Sequence, residues 1–256
     1  IEFDVPWRHV AWGREEKDKL LQEIKNLKPT SNESKEFRIV LYGQVGAGKS
    51  SCFNTINSVF QGHMTSRALA LEHTSTTQYL NELHTYRIRE RANGTWLPFA
   101  LCDVMGTEDQ EGKGTHPKDI INAVKGHVSE KIQVSPLSED SPFFNKSPTL
   151  NDKAHCFVYI VSADQVSLLT GGIVDKIKTV KSEVTDLGVP QVVLLTKVDL
   201  ACPVVKDDLK NVYKSKYIKE LMEKCSQIIG IPANCILPVK NYHEETTLND
   251  DVDVDF

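Results

Sequence analysis

The stretch VLYGQVGAGKSSCFNTI, residues 40–56, leaves the chain few folds to choose from. An apolar run opens into a glycine-rich turn and closes on Lys-Ser, so Gly43, Gly48, Lys49 and Ser50 satisfy G-x-x-x-x-G-K-[ST]. That spacing works as a strand, a loop and a helix in immediate succession. Glycine lets the backbone pass close to phosphate oxygens, and the amides of residues 45–51 converge where a helix N-terminus adds its partial positive charge. Gln44, Val45, Gly46, Ala47, Gly48, Lys49, Ser50 and Ser51 are therefore expected to cradle the phosphates of a nucleotide. Lys49 would reach the β- and γ-phosphates, and the Ser50 hydroxyl would ligate Mg2+.

The surrounding pattern agrees with a layered α/β chain. Leu20, Leu21, Ile24 and Leu27 share one face of a helix over 15–28, stopped by Pro29 and expected to dock on its own domain. Strands are predicted at 37–42, 84–91, 98–103, 155–162, 191–196 and 235–239, and helices at 49–60, 117–127, 172–187 and 206–229. Strands alternating with helices imply a three-layer, doubly wound, mainly parallel sheet. The expected organisation is an N-terminal helix and linker over 1–36, then a P-loop domain over 37–256. Residues 128–153, rich in Ser and Pro and without periodicity, read as an inserted functional or mobile loop. The acidic end EETTLNDDVDVDF shows no clear helix, so the closing helix of such a domain is expected to be truncated, and the missing initiator Met reads as an excised fragment.

Three further segments fall at the C-terminal ends of predicted strands, the side on which open α/β sheets bind ligands. FALCDVMG ends a strand on Asp103 and continues to Gly106, a D-x-x-G in which the carboxylate holds Mg2+ and the Gly106 amide senses a γ-phosphate. The same letters are also ordinary turn chemistry. VVLLTKVDL sets Thr196, Lys197 and Asp199 beyond another strand. A carboxylate there accepts two hydrogen bonds from guanine, which adenine cannot reciprocate, and the Lys197 stem lies along the base. CILPVKN puts Val239 and Lys240 where a backbone N–H meets guanine O6.

Composition closes off other classes. With 40% hydrophobic residues, no apolar run approaches the ~20 residues of a membrane span. Thirty basic against 35 acidic residues give a net charge of −5, which argues against broad nucleic-acid binding. Arg87, Arg89 and Arg91 alternate on one strand face and read as solvated. The six cysteines show no C-x-x-C and no metal-finger spacing, as expected of buried free thiols in a reducing cytoplasm.

The ordered set of P-loop, D-x-x-G, T-K-x-D and PVK resembles the G1, G3, G4 and G5 elements of P-loop GTPases, with a Thr-led G4 similar to that of dynamin-like and septin-like branches. More narrowly, PWR, YGQVGAGKSSCFNTINSVFQGHMT, LPFALCDVMG and LPVKNY resemble the interferon-induced protein 44-like family over about residues 5–250. That resemblance implies a cytoplasmic, interferon-responsive protein of antiviral innate immunity with a GTPase-like domain, GTP or GDP as ligand and Mg2+ as cofactor.

Hydrolysis asks for more than a cradle. Ras-like enzymes place a Gln just after D-x-x-G to orient the attacking water, and this chain has Thr107. Val45 takes the loop position that is glycine in Ras-like proteins, where a side chain crowds an arginine finger. The threonine that closes over Mg2+ is sought in HTSTTQ, with Thr77 ahead of Thr76 and Thr74. Arg67 lies nearby as a finger in cis or, more simply, as a surface charge. A GTP-binding switch with at most slow hydrolysis, a nucleotide-independent scaffold and a GTPase activated by a partner or by self-association all stay open.

Overall fold

A computed structural model describes residues 2–66, 83–104, 115–128 and 136–256. Its six strands are β1 (Phe37–Gly43), β2 (Leu83–Arg89), β3 (Trp96–Val104), β4 (Cys156–Ser162), β5 (Gln191–Thr196) and β6 (Ile236–Pro238). They form one sheet in the order β2-β3-β1-β4-β5-β6, parallel throughout except where β2 runs antiparallel to β3. Parallel strands covered on both faces read as continuous apolar runs. Val40, Leu41 and Tyr42 of β1 and Phe157 to Val161 of β4 are accordingly all buried. The chain leaves β1 toward β3 and later returns on the other side to β4. The direction of winding thus reverses between β1 and β4, and the loop after β1 opens at that reversal.

Helices cover the two faces. Tyr42, Phe157, Tyr159, Val193 and Leu195 point into one core, with side chains of α3 (Pro117–Lys125), α4 (Gly171–Asp186) and α7 (Lys216–Ile229). Leu41, Leu101, Val158 and Ile160 point into the other, with Cys52 and Phe53 of α2 (Lys49–Gln61), Ile24 of α1 (Arg14–Asn26) and Phe256. None of the helices in the described residues is long and apolar enough to cross a membrane.

The structure corrects the sequence reading in four places. The single helix expected over 206–229 is broken: α5 (Val198–Ala201) and α6 (Pro203–Asp207) precede a 3-10 turn at Leu209–Asn211, and α7 starts at Lys216. Asp208 adopts an extended backbone and accepts from the Lys210 amide, and Ser215 caps α7 by accepting from Ile218 N–H, so each side chain replaces a helical bond. α1 ends at Asn26, because Leu27 turns extended and stays half exposed. A short helix, α8 (Asp250–Asp255), forms where none was clear, capped by Asn249 Oδ1 accepting from Asp251 and Val252. The described part of the insertion, 136–153, is tied down rather than loose. Leu137 is buried and donates its amide to Asp119 Oδ1 at 2.6 Å, and Phe144 stacks on His127 at 4.7 Å.

The segment before α1 straps the far edge. Phe3 and Trp7 donate backbone bonds to Lys214 O and Tyr213 O. Arg8 donates to Ile236 O at 2.9 Å and Ala233 O at 3.0 Å while its guanidinium lies 5.3 Å from the Tyr213 ring centroid. At the opposite edge Arg87 forks onto Glu36 and Arg89 stacks over Trp96, so those arginines have protein partners. All six cysteines are free thiols, four of them buried.

His155 sits just before β4 and accepts the Arg38 amide on Nδ1 at 2.9 Å. Burial first, then the charge of Arg38, holds its pKa below 6.5. A depressed histidine contributes stability that is complete above its unfolded pKa and is lost as pH falls through the folded value. The urea midpoint should therefore fall more steeply below about pH 6.5 in the wild type than in His155→Leu, as a pH series of denaturation curves would read.

Candidate nucleotide-binding site

Gly43 ends β1 against β4, and a Cβ there would stand 2.3 Å from the Ile160 carbonyl oxygen. The loop that follows needs left-handed backbone at Gly46 (φ 79°) and Gly48 (φ 102°), which glycine adopts without strain. The turn closes on itself through Ala47 N–H to Gln44 O at 3.1 Å, and α2 starts with Cys52 N–H to Gly48 O at 2.8 Å. Lys49 reaches back across the loop and donates from Nζ to Gly43 O at 3.0 Å, which fixes its ammonium within the bowl. Ala47 is completely buried, whereas Val45 stands 60% exposed at the lip.

Thr196, the first residue of the T-K-x-D segment, sits under the loop. Its hydroxyl is fully buried and donates to Ala47 O at 2.6 Å, so the end of β5 braces the phosphate loop from beneath. Lys197 then takes a left-handed backbone (φ 58°), the one positive φ outside glycine among the described residues, and turns the chain into α5. Asp199, in the first turn of α5, is half-buried and has no hydrogen bond or ion pair among the described residues. Its carboxylate is available to a donor pair.

Val239 and Lys240 follow β6, and their backbone amides have protein partners. Val239 N–H donates to Leu195 O at 2.8 Å as an extension of the β5–β6 ladder, and Lys240 N–H donates to Asp255 Oδ2 at 3.0 Å. Both amides are engaged within the protein. Burial pushes the Asp255 carboxyl up to about 8, against the pull of that Lys240 amide. The Lys240 ammonium pairs with Glu245 at 2.8 Å.

Sequence reading also missed Asn241. Its Nδ2 lies 3.5 Å from Gly48 O, 3.0 Å from where a Cβ on residue 48 would be, and its Oδ1 lies 3.4 Å from Thr55 Oγ1. A polar residue directly after PVK was the available signal.

Asp103 is the penultimate residue of β3, one strand from the loop and opposite Leu41 in register. Burial first raises the Cys52 thiol to about 12, against the pull of Asn241 and Lys49. A serine hydroxyl and a carboxylate oxygen are the hard donors Mg2+ takes, with phosphate oxygens and water completing its shell. No group of three or more His, Cys, Asp or Glu among the described residues could hold a metal unaided. Arg67, Thr74, Thr76, Thr77, Gly106 and Thr107 lie outside the described residues.

No family model matches the chain. It is 33% identical over 245 residues to interferon-induced protein 44-like of Homo sapiens, covering 94% of this chain and 54% of that protein. It is likewise 33% identical over 256 residues to interferon-induced protein 44 of Homo sapiens, covering 99% of this chain and 57% of that one. The chain is a relative of the interferon-induced protein 44 proteins. It spans about half the length of these curated relatives. The solved structure of Toc33 from Arabidopsis thaliana in complex with GDP and Mg2+ shows a lower likeness: TM-score 0.44 and 12% identity over 93% of this chain and 80% of that one. A score of that size carries nothing about the site.

The brace under the loop can be tested directly. Thr196→Val leaves the buried Ala47 carbonyl without its donor and should cost about 1–3 kcal/mol in chemical denaturation, whereas Thr196→Ser should retain most of that stability.

Proposed function

We propose that the chain binds guanine nucleotide with Mg2+ and hydrolyses it slowly at most, as an interferon-induced protein of the cytoplasmic antiviral response. The carrying observation is the Thr196–Ala47 hydrogen bond, because it makes the base-side strand and the phosphate loop one rigid unit with Lys49 held inside it. The naming of its relatives supports the interferon-induced part of the reading.

In this reading the loop amides and Lys49 hold the phosphates, Ser50 and Asp103 hold Mg2+ together with a threonine of 74–77, and Asp199 selects the base. Mg2+ supplies charge neutralisation between the β- and γ-phosphates. The N-terminal helix and linker, 1–36, support the P-loop domain of 37–256. Slow hydrolysis follows from Thr107 in place of a water-orienting Gln, and from the outward Val45, which obstructs a partner's arginine. A second reading is favoured by one observation: with the amides of Val239 and Lys240 engaged, the base contact rests on Asp199 alone, so selectivity for guanine is weak and a protein-interaction scaffold tolerant of either nucleotide gains ground.

Titration with mant-GDP and mant-ATP in Mg2+ separates the two. Lys49→Ala should abolish binding of both, and Asp199→Ala should weaken mant-GDP by roughly tenfold or more, about 1.4 kcal/mol, while leaving mant-ATP unchanged. Equal affinities in the wild type, untouched by Asp199→Ala, would establish the second reading.

A further inference from the structure

Hydrogen bonds and an ion pair, carried across by the Tyr242 side chain itself, join α1 to the first turns of α2. Lys17 Nζ lies 2.9 Å from Asp250 Oδ1 and 2.8 Å from Asp253 Oδ2, and the Asp253 side chain is wholly buried. Burial would lower the Lys17 pKa, but the bonds to Asp253 and Asp250 hold it above the ordinary value. The other oxygen, Asp253 Oδ1, accepts from the Tyr242 hydroxyl at 2.6 Å, and that hydroxyl accepts the Asn249 amide at 2.6 Å. Tyr242's own backbone N–H donates to Thr55 Oγ1 at 3.0 Å. The Thr55 hydroxyl passes the chain on to Ser51 O at 2.8 Å, inside the first turn of α2. Next to it, Asn241 reaches Gly48 O.

Every link but the first is buried or nearly so, and that decides how the path behaves. A buried carboxylate stripped of its cation and a buried hydroxyl stripped of its acceptor are both left without the partners that offset their desolvation. The links are therefore made together or lost together. If α1 lifts away, Asp253 loses Lys17, the buried carboxylate to which Tyr242 donates is left without its cation, and the segment that carries Asn241 and the Thr55 contact loses its outer anchor. Resting on the nucleotide-binding reading above, we propose that Tyr242 is a positioning residue that couples docking of α1, through Lys17 and Asp253, to nucleotide binding at the phosphate loop. The N-terminal helix is thereby a regulatory element: a partner that draws α1 off the domain releases nucleotide, and nucleotide tightens α1. Linkage requires the same factor in both directions.

Hydrogen exchange of the amides in 14–26, measured on the full chain with and without saturating Mg2+ and mant-GDP, tests this alongside mant-GDP affinity. Nucleotide should slow exchange in α1 about tenfold in the wild type and leave it unchanged in Tyr242→Phe. Lys17→Met and Tyr242→Phe should each bind mant-GDP about five- to tenfold more weakly, and Lys17→Arg should restore affinity. If Tyr242→Phe does not fold, Asp253→Asn takes its place, since it keeps an acceptor for the hydroxyl and removes the ion pair. Protection of α1 that persists in Tyr242→Phe, or affinity unchanged in both weakening variants, would overturn the coupling while nucleotide binding stands. A wild type that binds no mant-GDP would overturn the nucleotide reading and the coupling with it.

Discussion

Position 43 has room for a hydrogen atom and nothing larger, because β1 and β4 run side by side to the last residue before the loop. That contact sets the starting point of everything above the sheet. With the loop starting flush with β4, its Ala47 carbonyl comes within 2.6 Å of a hydroxyl two strands away, and Lys49 can return to the Gly43 carbonyl. A side chain at 43 would push the two strands apart and remove both bonds at once. The first glycine of the motif thus acts through the packing of the sheet, whereas Gly46 and Gly48 act through backbone conformation.

What the sequence made legible follows from how each signal is encoded. Strands buried on both faces, such as FVYIV in β4 and VVLL in β5, announce themselves as apolar runs, and their residue ranges agree with the sheet to within two residues. The phosphate loop was readable because glycine and lysine at fixed spacing have few other uses. Thr196 was legible as part of a motif, but its hydrogen bond to Ala47 was not, because the acceptor lies in a loop 149 residues away in sequence. The amide partners of Val239 and Lys240 were illegible for a related reason. Residue type says nothing about whether a backbone amide is already engaged, and the acceptors here are Leu195, from the neighbouring strand, and Asp255, from α8.

Helix ends and the acidic tail were hidden by the same kind of tertiary dependence. The run DDVDVD has poor helical credentials alone, yet Lys17 offsets its charge and Val252 and Val254 are buried. α2 shows the converse. It buries Asn54, Thr55, Asn57 and Ser58, residues that a hydrophobic periodicity would assign to solvent. Ser58 donates to Asn54 O at 2.7 Å and Asn57 to Thr65 at 2.7 Å, so the polar face is satisfied by hydrogen bonds rather than by water. A helix packed this way holds its position by directional bonds rather than by apolar contact alone.

The strap at the other end of the sheet has its own effect on how the molecule meets its neighbours. β6 is three residues long and lies at the sheet margin, where unpaired carbonyls would invite another extended chain. Arg8 takes the carbonyls of Ala233 and Ile236 with one guanidinium, and a cation now stands where an incoming strand would have to bring its own backbone donors. One arginine from outside the sheet thus guards its margin, and among the described residues the ladder that began at β2 stops at β6.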